Sequence, residues 1–251
     1  MTLSSTTVLG VVGMLSLLVP SLSVGSDAGH HDLSGQPAIV VAEAPRSPAV
    51  SMPIYAPPRR GTPSAEHRVG GGTRAGKSVP VIAVIAPDHA GLTISEQPTL
   101  YWFTSGPIQG PVEITVTDMH TIPPVLEKRL TPPTTAGIQR VNLADYGVHL
   151  KPGIHYEWSI SIVMDSGRRS LDVSAAGSIE RVEPSSVQAQ LDQAAPLDPP
   201  QRFAAAGLWY DAVMSLSELI DAQPANRELR RQRAGLLDQV GLKEASAFDR
   251  S

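Results

Sequence analysis

The sequence predicts a mainly β protein: an antiparallel β-sandwich followed by a C-terminal α-helical hairpin, with a disordered N-terminal region ahead of both. Two observations on periodicity predict this order. Between residues 80 and 183, apolar and polar residues alternate with a period of two, and after residue 201 the apolar period becomes that of a helix. A third observation is compositional, because seven prolines fall between residues 37 and 63.

The N-terminal residues 1–26 are predicted to be a secretory signal peptide. An apolar run, Val8 to Val19, ends at Pro20, and small residues such as Ser23 and Ser26 follow as cleavage sites. We therefore expect an extracytoplasmic protein, periplasmic or secreted. Because no Lys or Arg precedes the run, an uncleaved N-terminal membrane anchor is the alternative. The chain has no cysteine, so neither disulfides nor a lipid-modified cysteine contribute.

Residues 27–79 are predicted to be a disordered, proline- and glycine-rich spacer. This segment has few large apolar side chains and no sustained periodicity. It cannot bury enough apolar surface to offset the conformational entropy of folding, and its prolines favour an extended, polyproline-like chain.

Within that spacer, "GGTRAGKS" at residues 71–78 fits the phosphate-loop pattern G-x-x-x-x-G-K-[ST]. The pattern binds phosphate when a strand leads into the glycine-rich turn and a helix begins at its Lys-Ser end. Here "VIAVIAP" follows at 81–87, which is β-branched and favours a strand. We therefore predict that this match binds no nucleotide and marks a flexible junction where the spacer enters the sandwich.

Residues 80–183 are predicted to form the sandwich domain. Alternation is clearest in "PVEITVTD" at 111–118 and in "GIHYEWSISI" at 153–162. Pro and Gly turns separate these segments from further strand candidates, and about seven short strands suggest two packed sheets. The further candidates are 80–86, 98–103, 124–130, 138–143 and 171–182.

The segment "LKPGIHY" at residues 150–156 resembles the tyrosine corner of immunoglobulin-like and fibronectin type III domains. By that resemblance, the Tyr156 hydroxyl bonds to backbone a few residues upstream and Tyr156 begins the penultimate strand. Trp102 or Trp158 would be the core tryptophan.

Residues 184–200 are predicted to be a linker and residues 201–245 a helical hairpin. Trp209, Ala212, Val213, Leu216 and Ile220 have the spacing of one apolar helix face. Asn226 is expected to cap a second helix, which Gly241 ends. The spacing is similar to that of a single tetratricopeptide repeat (TPR). Since such repeats seldom fold singly, we expect the apolar face to pack on the sandwich.

Four segments together resemble the bacterial domain of unknown function family 928: 86–103, 136–165, 168–173 and 204–220. "GGGTR" at 70–74, after a proline-rich segment, resembles the N-terminal edge of that family. The resemblance covers roughly residues 58–245. It implies an exported bacterial protein and supplies no activity and no catalytic residues.

The sequence contains no pattern that predicts a catalytic, cofactor or metal site. It has no G-x-S-x-G or H-E-x-x-H motif, and His30-His31 is an isolated pair. The net charge of −4 argues against a nucleic-acid surface. We predict a non-enzymatic protein-interaction or structural module of the periplasm or cell envelope, with protein partners and with membrane contact only if the signal stays uncleaved.

Two alternatives and one surface remain open. Tyr101-Trp102-Phe103 is interpreted as core, although an exposed aromatic pair would indicate a carbohydrate-binding module. A hydrolase with a dispersed site is the other alternative. The cluster Arg227, Arg230, Arg231 and Arg233 is interpreted as a solvated helix face that could also dock an acidic partner.

Overall fold

Nine strands form two sheets within residues 52–58, 67–74, 77–118 and 121–251, the ranges that the computed structural model describes. The predicted signal peptide lies outside these ranges. The strands are β1 (Val69–Arg74), β2 (Lys77–Val84), β3 (Gly91–Thr93), β4 (Thr99–Thr104), β5 (Val112–Asp118), β6 (Leu126–Leu130), β7 (Gly137–Asn142), β8 (His155–Ile162) and β9 (Val173–Arg181).

The two sheets share one hydrophobic core. One sheet has the strand order β1-β2-β4-β7, and the other has the order β3-β9-β8-β5-β6. Every pairing is antiparallel except that of β3 with β9. The alternating side chains of β5 and β8 point inward, and Ile114, Trp158 and Ile160 have no exposed surface. The predicted sandwich with its seven strands is therefore confirmed, and β1 and β3 are additional.

The hydrogen bond expected for the tyrosine corner is present. The backbone N–H of Lys151 donates to the Tyr156 hydroxyl oxygen over 3.1 Å, and Tyr156 lies at the start of β8. Trp102 and Trp158 are both buried, on opposite sheets. The bond ties the turn before β8 to the strand itself.

The predicted spacer ends too late, because β1 and the start of β2 fall within it. Val69 pairs with Ala83, and Arg74 pairs with Lys77, so this stretch is a β-hairpin and not a flexible junction. A glycine-rich strand carries no apolar alternation and escapes a periodicity argument. Close packing explains the glycine at position 70: a Cβ there would lie 2.3 Å from the backbone oxygen of Ser174.

Five α-helices follow the sandwich in the described part of the chain, more than the two of the predicted hairpin. They are α1 (Gln188–Gln193), α2 (Pro199–Ala205), α3 (Trp209–Ala222), α4 (Arg227–Gln239) and α5 (Lys243–Arg250). The Asn226 side chain caps α4 by accepting from the Glu228 N–H over 3.1 Å, as predicted. The predicted linker 184–200 instead contains α1 and the start of α2, because Val187 and Leu191 pack with Ala206 and Leu208.

Helix α3 is anchored in the sandwich, which confirms the expected packing. The Trp209 indole N–H donates to the backbone oxygen of Ile85 over 3.0 Å. The Tyr210 hydroxyl accepts from the Trp158 indole N–H over 2.8 Å and donates to the backbone oxygen of Ser178 over 3.0 Å. Helices and strands therefore share one buried core.

A buried carboxyl group also joins α3 to the sandwich. Asp211 is only 3% exposed, and its Oδ2 accepts from the Ile94 N–H over 3.2 Å. Burial raises the pKa of Asp211 to about 6, and hydrogen bonds from Ile94 and Thr93 oppose this shift without reversing it. The folded protein therefore binds this proton more tightly than the unfolded chain does.

We expect Asp211→Asn to stabilise the protein more at pH 7.5 than at pH 4. The raised pKa contributes stability below pH 4, and this contribution is lost as the pH rises through about 6. The unfolding free energy of the variant relative to wild type should increase by about 2–3 kcal/mol over that interval. Urea unfolding at the two pH values measures it, and a pH-independent difference would contradict it.

None of the helices in the described ranges is long and apolar enough to cross a membrane.

Candidate functional site

The phosphate-loop match at 71–78 lies in the β1–β2 hairpin. Arg74 pairs with Lys77 and Thr73 with Ser78, and β2 continues from Lys77 to Val84. A strand thus follows Lys77-Ser78, as predicted, where a phosphate loop requires a helix N-terminus.

The aromatic trio 101–103 is buried on both faces of β4. Tyr101, Trp102 and Phe103 are 5%, 2% and 3% exposed. Trp102 belongs to the sandwich interior, and Phe103 lies on the opposite face, where its ring centroid is 5.7 Å from that of Phe248 in α5. The core interpretation is confirmed, and these residues provide no exposed platform for a sugar.

The described residues contain no group of three His, Asp or Glu side chains that could hold a metal ion. His149 pairs with Glu96 on the surface, with 2.9 Å between Nδ1 and Oε1. The pair His30-His31 and His120 lie outside the described ranges.

One chain of hydrogen bonds has the residue types of a catalytic triad. Asp88 contacts His89 Nδ1 over 2.9 Å, and His89 Nε2 contacts the Tyr55 hydroxyl over 2.8 Å. Burial, reinforced by the charge of Asp88, raises the pKa of Tyr55 well above its usual range. A nucleophile requires the opposite shift, so this arrangement favours a structural contact.

The cleft with the most convergent polar groups lies between strand β7 and helices α3, α4 and α5. Two adjoining cavities, of about 690 and 280 Å³, share Arg140, Asp221 and Arg233 in their walls. We call this region the arginine cleft; its polar lining comprises Tyr101, Thr135, Gln139, Arg140, Ser217, Asp221, Arg230, Arg233 and Asp249. A further cavity of about 610 Å³, at residues 105–110 and 162–164, has no charged side chain in its lining.

The floor of the arginine cleft is a buried ion pair. The Arg233 guanidinium donates to both Asp249 carboxylate oxygens, over 2.7 and 2.8 Å, and to Ser217 Oγ over 3.0 Å. The Arg233 and Asp249 side chains are 10% and 1% exposed. Such a bidentate pair holds its guanidinium in one orientation, so Arg233 has a structural role and is not free to bind a ligand.

The rim of the cleft has one exposed ion pair. Arg140 of β7 and Asp221 of α3 meet over 2.6 Å, with side chains 65% and 59% exposed. Burial raises the pKa of the nearby Tyr101 hydroxyl. Tyr101 therefore stays neutral, and its hydroxyl interacts with Ser217.

Arg230 is the cation of the cleft that has no carboxylate partner among the described residues. Its Nη2 donates to the backbone oxygen of Pro224 over 2.6 Å, and its Nε is buried without a hydrogen-bond partner there. Arg230 also lines a small neighbouring cavity with Arg227, Arg231 and Arg250. Arg227 has no ion pair with a described residue either, whereas Arg231 and Arg250 contact Glu228 and Asp238.

The four arginines of the predicted cluster therefore differ in how far they are exposed to solvent. Arg233 is buried, Arg230 lies in the cleft wall, and Arg227 and Arg231 are exposed. The sequence could not place Tyr101, Arg140 and Asp221 beside them, because these residues come from distant segments and no motif connects them.

The fold and the cleft define a class: a two-sheet β-sandwich with a helical layer that contacts both sheets, and an arginine-lined cleft between that layer and strand β7. The family model described as Domain of Unknown Function (DUF928) matches residues 65–248, and the chain belongs to this family. The resemblance found in the sequence is thereby confirmed. No curated protein matches the chain.

Proposed function

We propose that this chain is an exported, non-enzymatic protein-interaction module whose arginine cleft docks an acidic segment of a partner protein. The observation that carries the proposal is Arg230, a cation in the cleft wall with a buried Nε that no described residue satisfies. A guanidinium binds carboxylates through paired N–H donors, and a buried donor without an acceptor favours binding one.

The charge around Arg230 supports an acidic ligand. In the cleft, Asp249 neutralises Arg233 and Asp221 neutralises Arg140, so Arg230 remains as excess positive charge. Arg227 adds a second such charge in the adjoining cavity. The cleft is open, which suits a side chain or a short peptide and not an enclosed small molecule.

The fold supports an interaction role as well. We infer that the sandwich is of the immunoglobulin or fibronectin type III kind: β4 pairs with β7 in one sheet, and β5, β8 and β9 are adjacent in the other. The Lys151–Tyr156 hydrogen bond agrees with this inference. Consecutive helices from α2 to α5 contact one another, and we infer that they resemble stacked TPR hairpins, whose concave surfaces bind partners.

Export is the part of the proposal that rests on the sequence. A fusion of residues 1–26 to a reporter active only outside the cytoplasm tests it. Mass spectrometry of the mature chain should find an N-terminus after Ser23 or Ser26. A full-length chain extracted only with detergent would support the anchored alternative.

We expect the double variant Arg227→Gln/Arg230→Gln to bind a fluorescent Asp/Glu-rich peptide at least about tenfold more weakly than wild type. In the wild-type protein these two guanidinium groups attract the acidic peptide. Without them the electrostatic attraction is weaker, so the salt dependence of binding should also decrease. Fluorescence anisotropy at two ionic strengths measures both effects.

The matched control is Lys128→Gln/Lys151→Gln, which removes two exposed positive charges that lie outside the cleft. It should leave peptide affinity near that of wild type. Equal weakening by the control and the double variant would show that net charge alone attracts the peptide. Unchanged binding by the double variant would reject the arginine cleft as the docking site.

A further inference from the structure

Residues Met52–Pro58, "MPIYAPP", lie against the helices as a peptide ligand lies in a groove. Exposure alternates from Met52 to Ala56: Pro53 and Tyr55 are buried, Ile54 is 74% exposed, and Met52 is 43% exposed with the end of its side chain over Gly235. The sequence placed this stretch in the disordered spacer, which is wrong for these seven residues. Alternating anchors on an extended backbone are typical of peptide recognition.

The groove recognises the segment's backbone through Gln239, at the end of α4. Gln239 Oε1 accepts from the Tyr55 N–H over 2.8 Å, and Gln239 Nε2 donates to the Pro53 carbonyl over 2.9 Å. The Ala56 N–H donates to the carbonyl oxygen of Ala204 in α2 over 3.0 Å. Backbone hydrogen bonds of this kind hold an extended peptide in register, and they do so equally for a segment of the same chain and for a separate peptide.

The groove also has a pocket for the tyrosine. The Tyr55 ring lies parallel to His89 at 5.8 Å and edge-on to Trp209 at 5.0 Å, and its hydroxyl bonds His89 Nε2. Tyr55 is 8% exposed. An aromatic ring between two rings, with its hydroxyl satisfied, gives both affinity and selectivity over phenylalanine.

Two glycines of the helical layer make room for the segment. A Cβ on Gly235, inside α4, would lie 2.2 Å from the Met52 side chain, and a Cβ on Gly207 would lie 2.9 Å from the Ala56 oxygen. The atom nearest Gly235 is the terminal methyl carbon of Met52, which can move aside, whereas the atom nearest Gly207 is a backbone oxygen. Gly207 is therefore the glycine that the close approach of the segment requires, and its φ of 79° also favours glycine.

We propose that this groove is a peptide-binding site for extended Pro-x-Tyr segments, filled here by the chain's own residues 52–58 and exchangeable with those of a second copy. A second copy of the chain is the expected occupant because it carries the same residues 52–58 that fill the groove here. Only residues 59–66 join the segment to His67, so intramolecular occupancy prevails at low concentration through an effective concentration of the order of millimolar. Exchange then gives a segment-swapped dimer.

Two complementary variants test the proposal. Tyr55→Ala removes the anchor and leaves the groove, whereas Gln239→Ala weakens the groove and leaves the segment. Gln239 is itself exposed, and outside the segment it bonds only the Gly235 oxygen among described residues. We expect the mixture to form a heterodimer in sedimentation at high micromolar concentration, and each variant alone to remain monomeric. A monomeric mixture overturns the second copy as occupant.

A synthetic peptide of residues 51–59 provides a second measurement on the wild-type protein, independent of how the variants fold. In excess, it should accelerate hydrogen exchange of the Tyr55 and Ala56 amides by displacing the tethered segment. For the peptide with alanine at the tyrosine position, the concentration that gives the same effect should be about tenfold higher. If the exchange rates of these two amides are the same with the tyrosine peptide as without any peptide, or the same with both peptides, the proposed peptide-binding site is wrong.

Discussion

Truncation of Tyr210 to alanine is expected to lower the free energy of unfolding by about 3–5 kcal/mol, the range for a large buried aromatic side chain. Tyr210 is 2% exposed and joins helix α3 to Trp158 and Ser178 of the sandwich. Its loss leaves a cavity in the core that strands and helices share. Because that core is continuous, the variant should still unfold in one transition, at a lower urea midpoint.

Tyr210→Phe is the matched variant, since it removes the hydroxyl and keeps the ring. The Trp158 indole N–H then loses its acceptor in a buried place, at a cost of about 1–3 kcal/mol. Fluorescence and far-UV circular dichroism during urea unfolding measure both variants. If Tyr210→Ala cost less than Tyr210→Phe, or if the helices melted separately, the shared core would be refuted.

Asp249→Asn is expected to destabilise the protein by about 3 kcal/mol, because the Arg233 charge would remain buried without its counter-charge. Both carboxylate oxygens of Asp249 accept from Arg233, and the two side chains are almost completely buried. An asparagine is neutral and cannot accept both bonds. Chemical denaturation at neutral pH measures this loss.

Asp221→Asn provides the contrast on the rim of the same cleft. Asp221 pairs with Arg140, but both side chains are more than half exposed. Solvent screens such a pair, so its removal should cost less than about 1 kcal/mol. Comparable losses in the two variants would show that burial of the Arg233–Asp249 pair contributes little to stability.

Period-two alternation predicted β5 and β8, and turn signals between the remaining candidates predicted five further strands. Val112, Ile114 and Val116 point to one core, and a one-residue slip of β5 would expose all three. The same argument missed β1, whose glycines have no side-chain pattern, and β3, which spans only three residues. Helix α3 was predictable from its apolar spacing, and the cap of α4 from Asn226.

The candidate sites were less predictable, because each is assembled from segments far apart in the chain. The sequence singled out the arginines of α4, but Asp249, the carboxylate that pairs with Arg233, comes from α5, and Arg227 and Arg230 have no such partner among the described residues. Likewise, the "MPIYAPP" segment has the composition of a spacer. Its order comes from Trp209, His89 and Gln239, which surround it only after folding.

The sequence by itself determined the order of β and helical parts, the hydrogen bond of the Tyr156 hydroxyl to upstream backbone and the family, since each follows from short-range periodicity or a local motif. The tertiary structure alone decided that the helices share the sandwich core, that Thr73 and Arg74 pair with Ser78 and Lys77 as neighbouring strands, and that residues 52–58 fill a groove. These features depend on contacts between residues far apart in the chain, which stabilise segments whose own sequence favours neither a strand nor a helix. Such contacts cannot be read from a single sequence.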